Sequence, residues 1–464
     1  MGYDAPLATN WRTVVRVEGQ ASMASAHHIE EDLLPRDPID RFVDPLKRFL
    51  HIEAASGVVL LAATAVALAF ANLPTDAWYQ GLWKVRLSIG LGSFQMNHSL
   101  QHWINDGLMA IFFFVIGLEV KRELVMGELQ DLRQAILPIA AAIGGMLIPA
   151  GIFLLLQKGA PGARGWGIPM ATDIAFVVGC LAVLGKRIPG GLRVLLLSLA
   201  IADDIGAILV IAIGYTASLN LTALALGAAG IALLPFMMKV GIRNHAIYYI
   251  LMVLTWGAFH ESGIHATIAG VIFGLLTPTR SWITANRLET IVEKTRHFLM
   301  GDGWNTSSER YALLRQMERA TRKSLSPLER HETELHPWVG FLIMPVFALA
   351  NAGVPIQAAD IVDPVALATA AGLFLGKPAG ILLFSFLAVK LGLTRLPEGV
   401  TWGAVLGGGF LAGIGFTMAL FISGLALSGP LLDAAKVGVM AGSALSAAVG
   451  MVLLIVFLPK PKAA

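Results

Sequence analysis

The sequence predicts an all-α polytopic membrane protein with twelve transmembrane helices, an inverted repeat and two discontinuous helices, which are spans 4 and 11. Three observations predict this fold. Apolar residues make up 56% of the 464-residue chain and charged residues only 14%, against about 25% charged residues in typical soluble domains. The apolar residues are concentrated in twelve runs. Gly and Pro interrupt two of these runs at corresponding positions.

A transmembrane helix needs about 20 predominantly apolar residues, and most of the twelve runs approach that length. The runs fall at 51–73, 105–126, 134–156, 168–185, 190–214, 221–239, 246–259, 262–277, 336–352, 364–389, 402–425 and 436–458. The seventh and eighth are short, but His260-Glu261-Ser262-Gly263 between them is typical of a turn, so we treat them as separate spans. Twelve spans place both termini on the same side of the membrane.

Lys and Arg are distributed very unevenly between the two predicted sides. Of the 34 such residues, 28 lie on the side of the termini and Lys377 lies inside a span. The opposite side holds five, which are Lys84, Arg86, Lys158, Arg164 and Lys436. Because Lys and Arg accumulate in cytoplasmic loops, this bias predicts cytoplasmic termini and supports the count of twelve spans.

These spans divide the chain into three segments. Residues 1–48 form a cytoplasmic N-terminal tail that lacks the apolar core of a signal peptide. Residues 49–458 form a single transmembrane transporter domain, and 459–464 form a cytoplasmic C-terminal tail. The domain includes an extended cytoplasmic loop at 278–335, whose basic residues indicate a solvated juxtamembrane segment rather than a nucleic-acid site. In the long outer loop, at 74–104, SFQMNHSL predicts a small hairpin.

Spans 4 and 11 are interrupted, in GWGIPMATD and LGGGFLAGIGFTMAL. A pair of interrupted spans at matching positions in two halves indicates an inverted-repeat transporter, here with spans 3–5 and 10–12 as the repeats. Helices of this kind unwind at mid-membrane, where their ends carry partial charges that can hold an ion. The alternative is that the glycines only allow close helix packing.

Four charged residues lie inside otherwise apolar spans, where a charge is costly and therefore indicates function or pairing. They are Asp173 in span 4, Asp203 and Asp204 at the middle of span 5, and Lys377 at the middle of span 10. Adjacent residues on a helix point about 100° apart, so the two neighbouring aspartates meet different surroundings. One of them is expected to pair with Lys377. A purely structural ion pair is the alternative, but it leaves two carboxylates unexplained.

The carboxylates predict a site that binds either a proton or a small cation. Partly desolvated carboxylates hold protons near neutral pH. Carboxylate oxygens are also hard ligands suited to Na⁺. Thr172, beside Asp173, can add an oxygen ligand. Competition between the two ions at a site with alternating access is sufficient to exchange H⁺ for Na⁺.

A second charged cluster lies at the predicted cytoplasmic ends of spans 2 and 9. Its members are Glu119, Lys121, Arg122 and Glu123 in GLEVKREL, and Glu332, Glu334 and His336 in ERHETELHPW. Histidine titrates near neutrality and coupled carboxylates can shift with it, so the cluster is a candidate sensor of cytoplasmic pH. The alternative is that these charges only anchor helix ends.

Two other functional classes fit less well. An intramembrane aspartyl protease needs two carboxylates facing one water, and adjacent residues on one helix are badly arranged for that. A passive cation channel favours a ring of acids from repeated subunits over one asymmetric cluster with a lysine. The single cysteine, Cys180, excludes an intrachain disulfide.

These motifs together resemble the NhaA-type bacterial sodium/proton antiporters, a family with known inverted-topology repeats. The resemblance covers residues 40–458, in the family's order. The motifs that carry it are ATDIAF, LAIADDIGAI, GLEVKREL, SGIHATIAGV, LHPWVGFLIMPVFALANAGV, GKPAGI and LPEG followed by GIGFTMALFI.

The resemblance implies electrogenic export of Na⁺ or Li⁺ for more than one inward H⁺, activated at alkaline cytoplasmic pH, across a bacterial inner membrane. It implies that Asp204 is the direct cation ligand, assisted by Asp203, and that Asp203 is the proton-carrying partner of Lys377. Asp173 and Thr172 are expected at the crossing of spans 4 and 11. The implied pH-response region comprises Glu119, Arg122, Glu123, Glu332 and His336. The expected partners are Na⁺, Li⁺, H⁺ and the lipid bilayer, with a homodimer as a possible assembly and no cofactor or nucleic acid.

Overall fold

In the computed structural model, the described residues are 53–91, 94–216, 219–242, 245–300 and 307–458. The predicted N-terminal tail at 1–48 and C-terminal tail at 459–464 lie outside them. Within these ranges the chain is almost entirely helical, and its regular strands form one two-stranded sheet. This agrees with the all-α fold class predicted from composition.

The elements follow the chain in this order. The first third contains α1 (Glu53–Asn72), α2 (Asp76–Lys84), β1 (Arg86–Leu91), β2 (Phe94–Ser99), α3 (Leu100–Met126) and α4 (Leu132–Leu156). A 3-10 helix (Pro161–Met170) precedes α5 (Ile174–Leu184), α6 (Gly190–Gly214), α7 (Leu221–Val240), α8 (His245–Ser262) and α9 (Thr267–Leu276). The last part contains α10 (Ala285–Met300), α11 (Ser307–Ser324), α12 (Pro327–Asn351), α13 (Ala358–Ile361), α14 (Pro364–Lys390), α15 (Trp402–Ala412), α16 (Phe416–Ala426) and α17 (Pro430–Phe457).

Nine helical segments of the described chain are long and apolar enough to cross a membrane. The pair α15 and α16 makes a tenth if it is one span, and the two helices are bent by 46° at their break. Each of the twelve apolar runs coincides with a helix or helix pair. However, α8 and α9, which correspond to the seventh and eighth runs and contain 18 and 10 residues, are not among these candidate spans. The protein is therefore a multi-pass membrane protein with nine or ten candidate spans by these measures.

The hairpin predicted in the outer loop is present. Strands β1 and β2 pair antiparallel, with Arg86 opposite Ser99 and Leu91 opposite Phe94. The Ser99 hydroxyl then accepts a hydrogen bond from the backbone N–H of His102 and caps the start of α3. This cap joins the hairpin directly to the second apolar run.

The loop predicted at 278–335 is largely helical. It contains α10 and α11, and α12 begins at Pro327, nine residues before the apolar run at 336. A capping box explains the early start. The Ser326 hydroxyl accepts from the Glu329 N–H, while the Glu329 carboxylate accepts from the Ser326 N–H. A polar turn is thereby added in front of the apolar run.

Close packing between α4 and α14 positions the buried lysine of the tenth apolar run. A Cβ at Gly380 would overlap the backbone of Gly144, and a Cβ at Gly145 would contact the Lys377 side chain. Small residues here allow the two helices to approach at backbone distance. Lys377 itself is fully buried and is among the largest completely buried side chains of the described chain.

Candidate functional site

Two breaks in the helical backbone meet at the centre of the site. Residues 171–173 are non-helical between the 3-10 helix and α5, and residues 413–415 separate α15 from α16. The Asp173 N–H donates to the carbonyl oxygen of Ile414 at 2.7 Å, and the Thr172 hydroxyl donates to the carbonyl oxygen of Ala412 at 2.8 Å. Each break therefore helps to satisfy backbone groups that the other leaves without helical partners.

The Asp173 carboxylate caps two helices. Its Oδ1 accepts from the Phe176 N–H at 3.4 Å, which caps α5. Its Oδ2 accepts from the Thr417 N–H at 3.0 Å and from the Thr417 hydroxyl, in the first turn of α16. Both helix N-termini carry partial positive charge, which favours an anionic side chain at this point. The Asp173 carboxylate thus joins the N-termini of α5 and α16 at the crossing.

Lys377 lies at a helix C-terminus, whereas Asp173 lies at two helix N-termini. Its ammonium donates to Asp203 Oδ2 at 2.6 Å and to the carbonyl oxygen of Met170, at the end of the 3-10 helix. A helix C-terminus favours a cation, and a buried ammonium needs such partners to stay charged. A π-helical turn at Gly372–Gly376 precedes Lys377. Pro378, which lacks an N–H, follows it and weakens the regular ladder there.

Asp204 differs from its neighbour in having no partner of this kind. It is 2% exposed, and its Oδ1 is buried without a hydrogen-bond donor. Among the described residues, no hydrogen bond or ion pair of the site involves its side chain. The charged groups around it are mostly acidic, namely Asp203, Glu119 and Asp173, with Lys377 as the one cation. A buried carboxylate with this surplus of negative charge requires a proton or a metal cation.

The candidate pH-response residues are only partly brought together. Arg122 of α3 forms an ion pair with Glu332 of α12, and Glu119 lies within electrostatic range of both. Glu123 accepts a hydrogen bond from the Glu128 N–H at 3.2 Å. His336 lies one turn beyond Glu332 and is exposed. The ion pair links the two helices that the sequence places on the same side.

The structure brings the five predicted ion-site residues into one buried cluster and adds two groups that sequence reasoning missed, the Thr417 side chain and the Met170 carbonyl. Thr417 lies in the GIGFTMAL motif, and its hydroxyl donates to a carboxylate 244 positions away, a contact that the residue type alone does not predict. Its position just after Gly413 and Gly415 in the interrupted span is the signal that could have identified it. The backbone carbonyl of Met170 was missed for the same reason.

Removing the Thr417 hydroxyl tests this contact. Thr417→Val preserves the side-chain shape but withdraws a donor from Asp173, and hydrogen bonds to charged groups contribute about 1.5–3 kcal/mol. We expect a lower melting temperature in detergent for Thr417→Val. Thr417→Ser keeps the hydroxyl and should remain close to the wild-type value. Equal melting temperatures for the valine and serine variants would show that the hydroxyl contributes nothing.

The geometry combines oxygen ligands, helix ends and one fixed ammonium in a membrane-buried cluster. Carboxylate, hydroxyl and carbonyl oxygens are the ligand set of a hard cation such as Na⁺. The half-helix ends at the crossing carry fixed partial charges that can stabilise or repel an ion. The cluster therefore offers groups that can bind one small cation or protons.

Known proteins match this chain along nearly its whole length, and they all belong to one family. Residues 47–454 match the family model described as Na+/H+ antiporter 1. A Na(+)/H(+) antiporter NhaA of Rhodopirellula baltica is 56% identical over 436 residues, which cover 94% of this chain and 99% of the relative. The Na(+)/H(+) antiporter NhaA 2 of Acidiphilium cryptum is 50% identical over 421 residues, covering 91% of this chain and 94% of the relative. The Na(+)/H(+) antiporter NhaA of Rhizobium meliloti is 50% identical over 421 residues, which cover 91% of this chain and 96% of the relative.

Proposed function

The chain belongs to the Na+/H+ antiporter 1 family, and from this premise we propose that it exports Na⁺ or Li⁺ in exchange for more than one inward H⁺. Unequal charge exchange makes the cycle electrogenic, so that the membrane potential drives it. The physiological role we propose is homeostasis of sodium and of cytoplasmic pH. Transport, rather than covalent catalysis, is the activity that the relatives' names describe.

The observation that carries the proposal is the unpartnered carboxylate of Asp204. It is buried among other acids, whereas Asp203 has Lys377 and Asp173 has two helix ends. The free energy of a buried, uncompensated carboxylate falls when a cation or a proton binds. Asp204 is therefore the proposed direct ligand of Na⁺, and occupancy by H⁺ and by Na⁺ is mutually exclusive there.

Asp203 and Lys377 are the proposed site of the second proton. When Na⁺ binds at Asp204, the adjacent Asp203 carboxylate can turn toward the ion and leave Lys377. The buried ammonium then has one carboxylate partner less, which favours release of its proton. Return of the proton re-forms the ion pair as Na⁺ leaves. Thr172 and Asp173 hold the crossing close to this exchange and can supply further oxygen atoms.

We further propose a twelve-span topology with both termini in the cytoplasm of a bacterium and the domain in its inner membrane. The distribution of Lys and Arg supports this orientation. In this topology α8 and α9 are two short spans, and the breaks at 171–173 and 413–415 make spans 4 and 11 discontinuous. Spans 3–5 and 10–12 are the proposed inverted repeats. A homodimer is the proposed assembly in the bilayer.

Ion-driven pH change in proteoliposomes tests the activity. Addition of Na⁺ or Li⁺ should move protons across the membrane, and the rate should rise with alkaline pH on the cytoplasmic face. Clamping the membrane potential to zero should increase the rate, because an electrogenic cycle is otherwise limited by the potential it builds. Absence of Na⁺-dependent proton movement over the whole pH series would contradict the proposal.

The charged cluster of α3 and α12 is the proposed pH-response region, comprising Glu119, Arg122, Glu123, Glu332 and His336. A change in charge at the Arg122–Glu332 pair alters how the two helices are held together. This can bias a conformational equilibrium through groups that the transported ion does not contact. Simple competition between H⁺ and Na⁺ at Asp204 is the alternative source of pH dependence.

Neutralising Glu332 separates these two sources of pH dependence. We expect Glu332→Gln to shift the pH at half-maximal activity while leaving the apparent KM for Na⁺ at saturating alkaline pH nearly unchanged. His336→Gln is expected to shift the midpoint in the same assay. Competition at the aspartates alone predicts instead a midpoint that drifts as the Na⁺ concentration is raised. The measurement is the apparent KM for Na⁺ at several pH values in each variant.

Glu334→Gln is the matched control. Glu334 lies on the same helix, half exposed, and pairs with Arg330 one turn away rather than with α3. Its substitution should leave the midpoint unchanged. If the variants at 332, 334 and 336 all follow the wild-type curve, competition at the aspartates suffices and the proposed pH-response role is removed.

A further inference from the structure

Three histidines form a cluster that shares no residue with the ion site. His98 lies on β2, His102 lies at the start of α3, and His260 lies near the end of α8. One ring nitrogen from each approaches the others, and all three lie within 4.8 Å of one another. The rings of His98 and His102 stack with centroids 4.2 Å apart, and the His260 ring meets both edge-on. Three elements thus converge on one small volume.

The separation of two of these nitrogens matches a metal site. His98 Nε2 and His260 Nε2 are 3.2 Å apart. Two histidine nitrogens that bind one tetrahedral Zn²⁺ at about 2.0–2.1 Å are about 3.3 Å from each other. The third nitrogen, from His102, is at most 4.8 Å from the other two. Bringing it to the same separation requires a movement of about 1.5 Å, which a side-chain torsion can supply.

A buried carboxylate, that of Asp106, lies close to two of the three histidines. Asp106 is 8% exposed, and its Oδ2 lies 3.4 Å from His260 Nδ1 and 3.5 Å from His102 Nε2. Metal-binding histidines generally donate their second ring N–H to a carboxylate or carbonyl, which fixes the tautomer and raises the basicity of the ligand nitrogen. His260 has this arrangement, with Nδ1 toward the carboxylate and Nε2 toward His98.

The surroundings also leave room for a fourth ligand. His98 and His260 line an open cleft of about 590 Å³ together with Asn97, Asn220 and Glu261. The other charged or titratable groups facing the cluster are Asp106, Glu261 and His265.

We propose that His98, His102 and His260 bind a divalent transition-metal ion, with Zn²⁺ as the best-fitting ion, and that Asp106 orients the ligands. Imidazole nitrogen is a preferred ligand of Zn²⁺, Cu²⁺ and Ni²⁺, whereas transported Na⁺ prefers oxygen ligands, so this site is chemically distinct from the aspartate cluster. A bound ion joins the β1–β2 hairpin to α3 and α8. A water from the cleft supplies the fourth ligand.

Direct binding of Zn²⁺ to the purified full-length protein tests the proposal. The protein should carry no polyhistidine tag, because such a tag would bind the probe. In competition with a fluorescent zinc chelator, we expect about one tight site per chain with a micromolar or lower Kd. His98→Ala and His260→Ala should each weaken that site at least tenfold, and Asp106→Asn should weaken it by about 10–100-fold. Co²⁺ bound in place of Zn²⁺ should give the visible spectrum of a tetrahedral site.

His297→Ala is the matched control, because His297 is an exposed histidine on α10. It should leave Zn²⁺ binding unchanged. Melting temperatures measured without metal show whether His98→Ala or His260→Ala has failed to fold. If one of them has, Asp106→Asn replaces it in the binding assay. Wild-type binding no tighter than that of the His98→Ala/His260→Ala double variant would overturn the proposal. It would leave the His98–His260 contact as a simple hydrogen bond. The assay measures no transport, so its outcome is independent of the proposed exchange activity.

Discussion

Asp204→Asn is expected to abolish Na⁺-driven proton movement while leaving the protein folded in the membrane. The asparagine has nearly the same shape but lacks the charge that a bound cation needs. The carboxylate has no ion pair or hydrogen bond with any described residue, so its neutralisation removes an unfavourable buried charge rather than a contact. The measurement is Na⁺-driven pH change in proteoliposomes, and the expected rate is that of liposomes without protein.

Two comparisons make this result specific. Asp76→Asn changes an exposed aspartate on α2 outside the site and should transport normally. Asp203→Asn should differ from Asp204→Asn in stability, because it leaves the Lys377 ammonium without its carboxylate. Near-normal exchange by purified Asp204→Asn protein would remove the central claim. A marked loss of melting temperature in that variant would show that Asp204 has a structural partner after all.

The positions of the site residues were predictable from the sequence because a charge in an apolar run is conspicuous. Asp173, Asp203, Asp204 and Lys377 stand out against their neighbours, and the cost of burying a charge implies that they meet. The residues alone left open which aspartate faces Lys377, whereas the family resemblance implied Asp203, the residue that forms the ion pair. The answer depends on the rotation of α6 about its axis and on the approach of α14, which are set by packing over the whole bundle rather than by local sequence.

Contacts between residues far apart in the sequence were also not predicted where neither the residue type nor a motif marks them. Thr417 and the Met170 carbonyl look unremarkable in their runs, yet they bind Asp173 and Lys377. The His98–His260 contact joins residues 162 positions apart. The early start of α12 at Pro327 was missed for a different reason. Its capping box adds a polar turn, whereas the apolar pattern marks only the part of a helix that contacts lipid or core.

The breaks at 171–173 and 413–415 explain how so many charges coexist in one apolar volume. Asp173 faces two helix N-termini, and Lys377 faces the C-terminal end of the 3-10 helix. Backbone dipoles therefore compensate two of the four charges without further ionic side chains. The Lys377–Asp203 pair compensates a third. Among the described residues of the cluster, Asp204 is the charge left uncompensated, which is why we propose it as the ligand of the transported ion.

Replacing Lys377 is expected to have the second large effect. Its ammonium is completely buried and bridges Asp203 of α6 to the Met170 carbonyl. Lys377→Ala leaves a buried carboxylate and a carbonyl without their donor, and breaking a buried ion pair costs about 3–5 kcal/mol. The Asp203 carboxylate should then take up a proton more readily, and the contact between α6 and α14 should loosen. We expect a clearly lower melting temperature in detergent together with altered transport.

A double-mutant cycle separates the lost charge from the lost volume. Lys377→Met keeps most of the side-chain volume, so any destabilisation that it shares with Lys377→Ala comes from the missing charge rather than from a cavity. Asp203→Asn in the Lys377→Met background removes the stranded carboxylate and should recover part of the melting temperature. The two substitutions are in direct contact, so their effects should be strongly non-additive. Additive effects, or an unchanged melting temperature in Lys377→Met, would indicate that the lysine faces water and that Asp203 is compensated by another group.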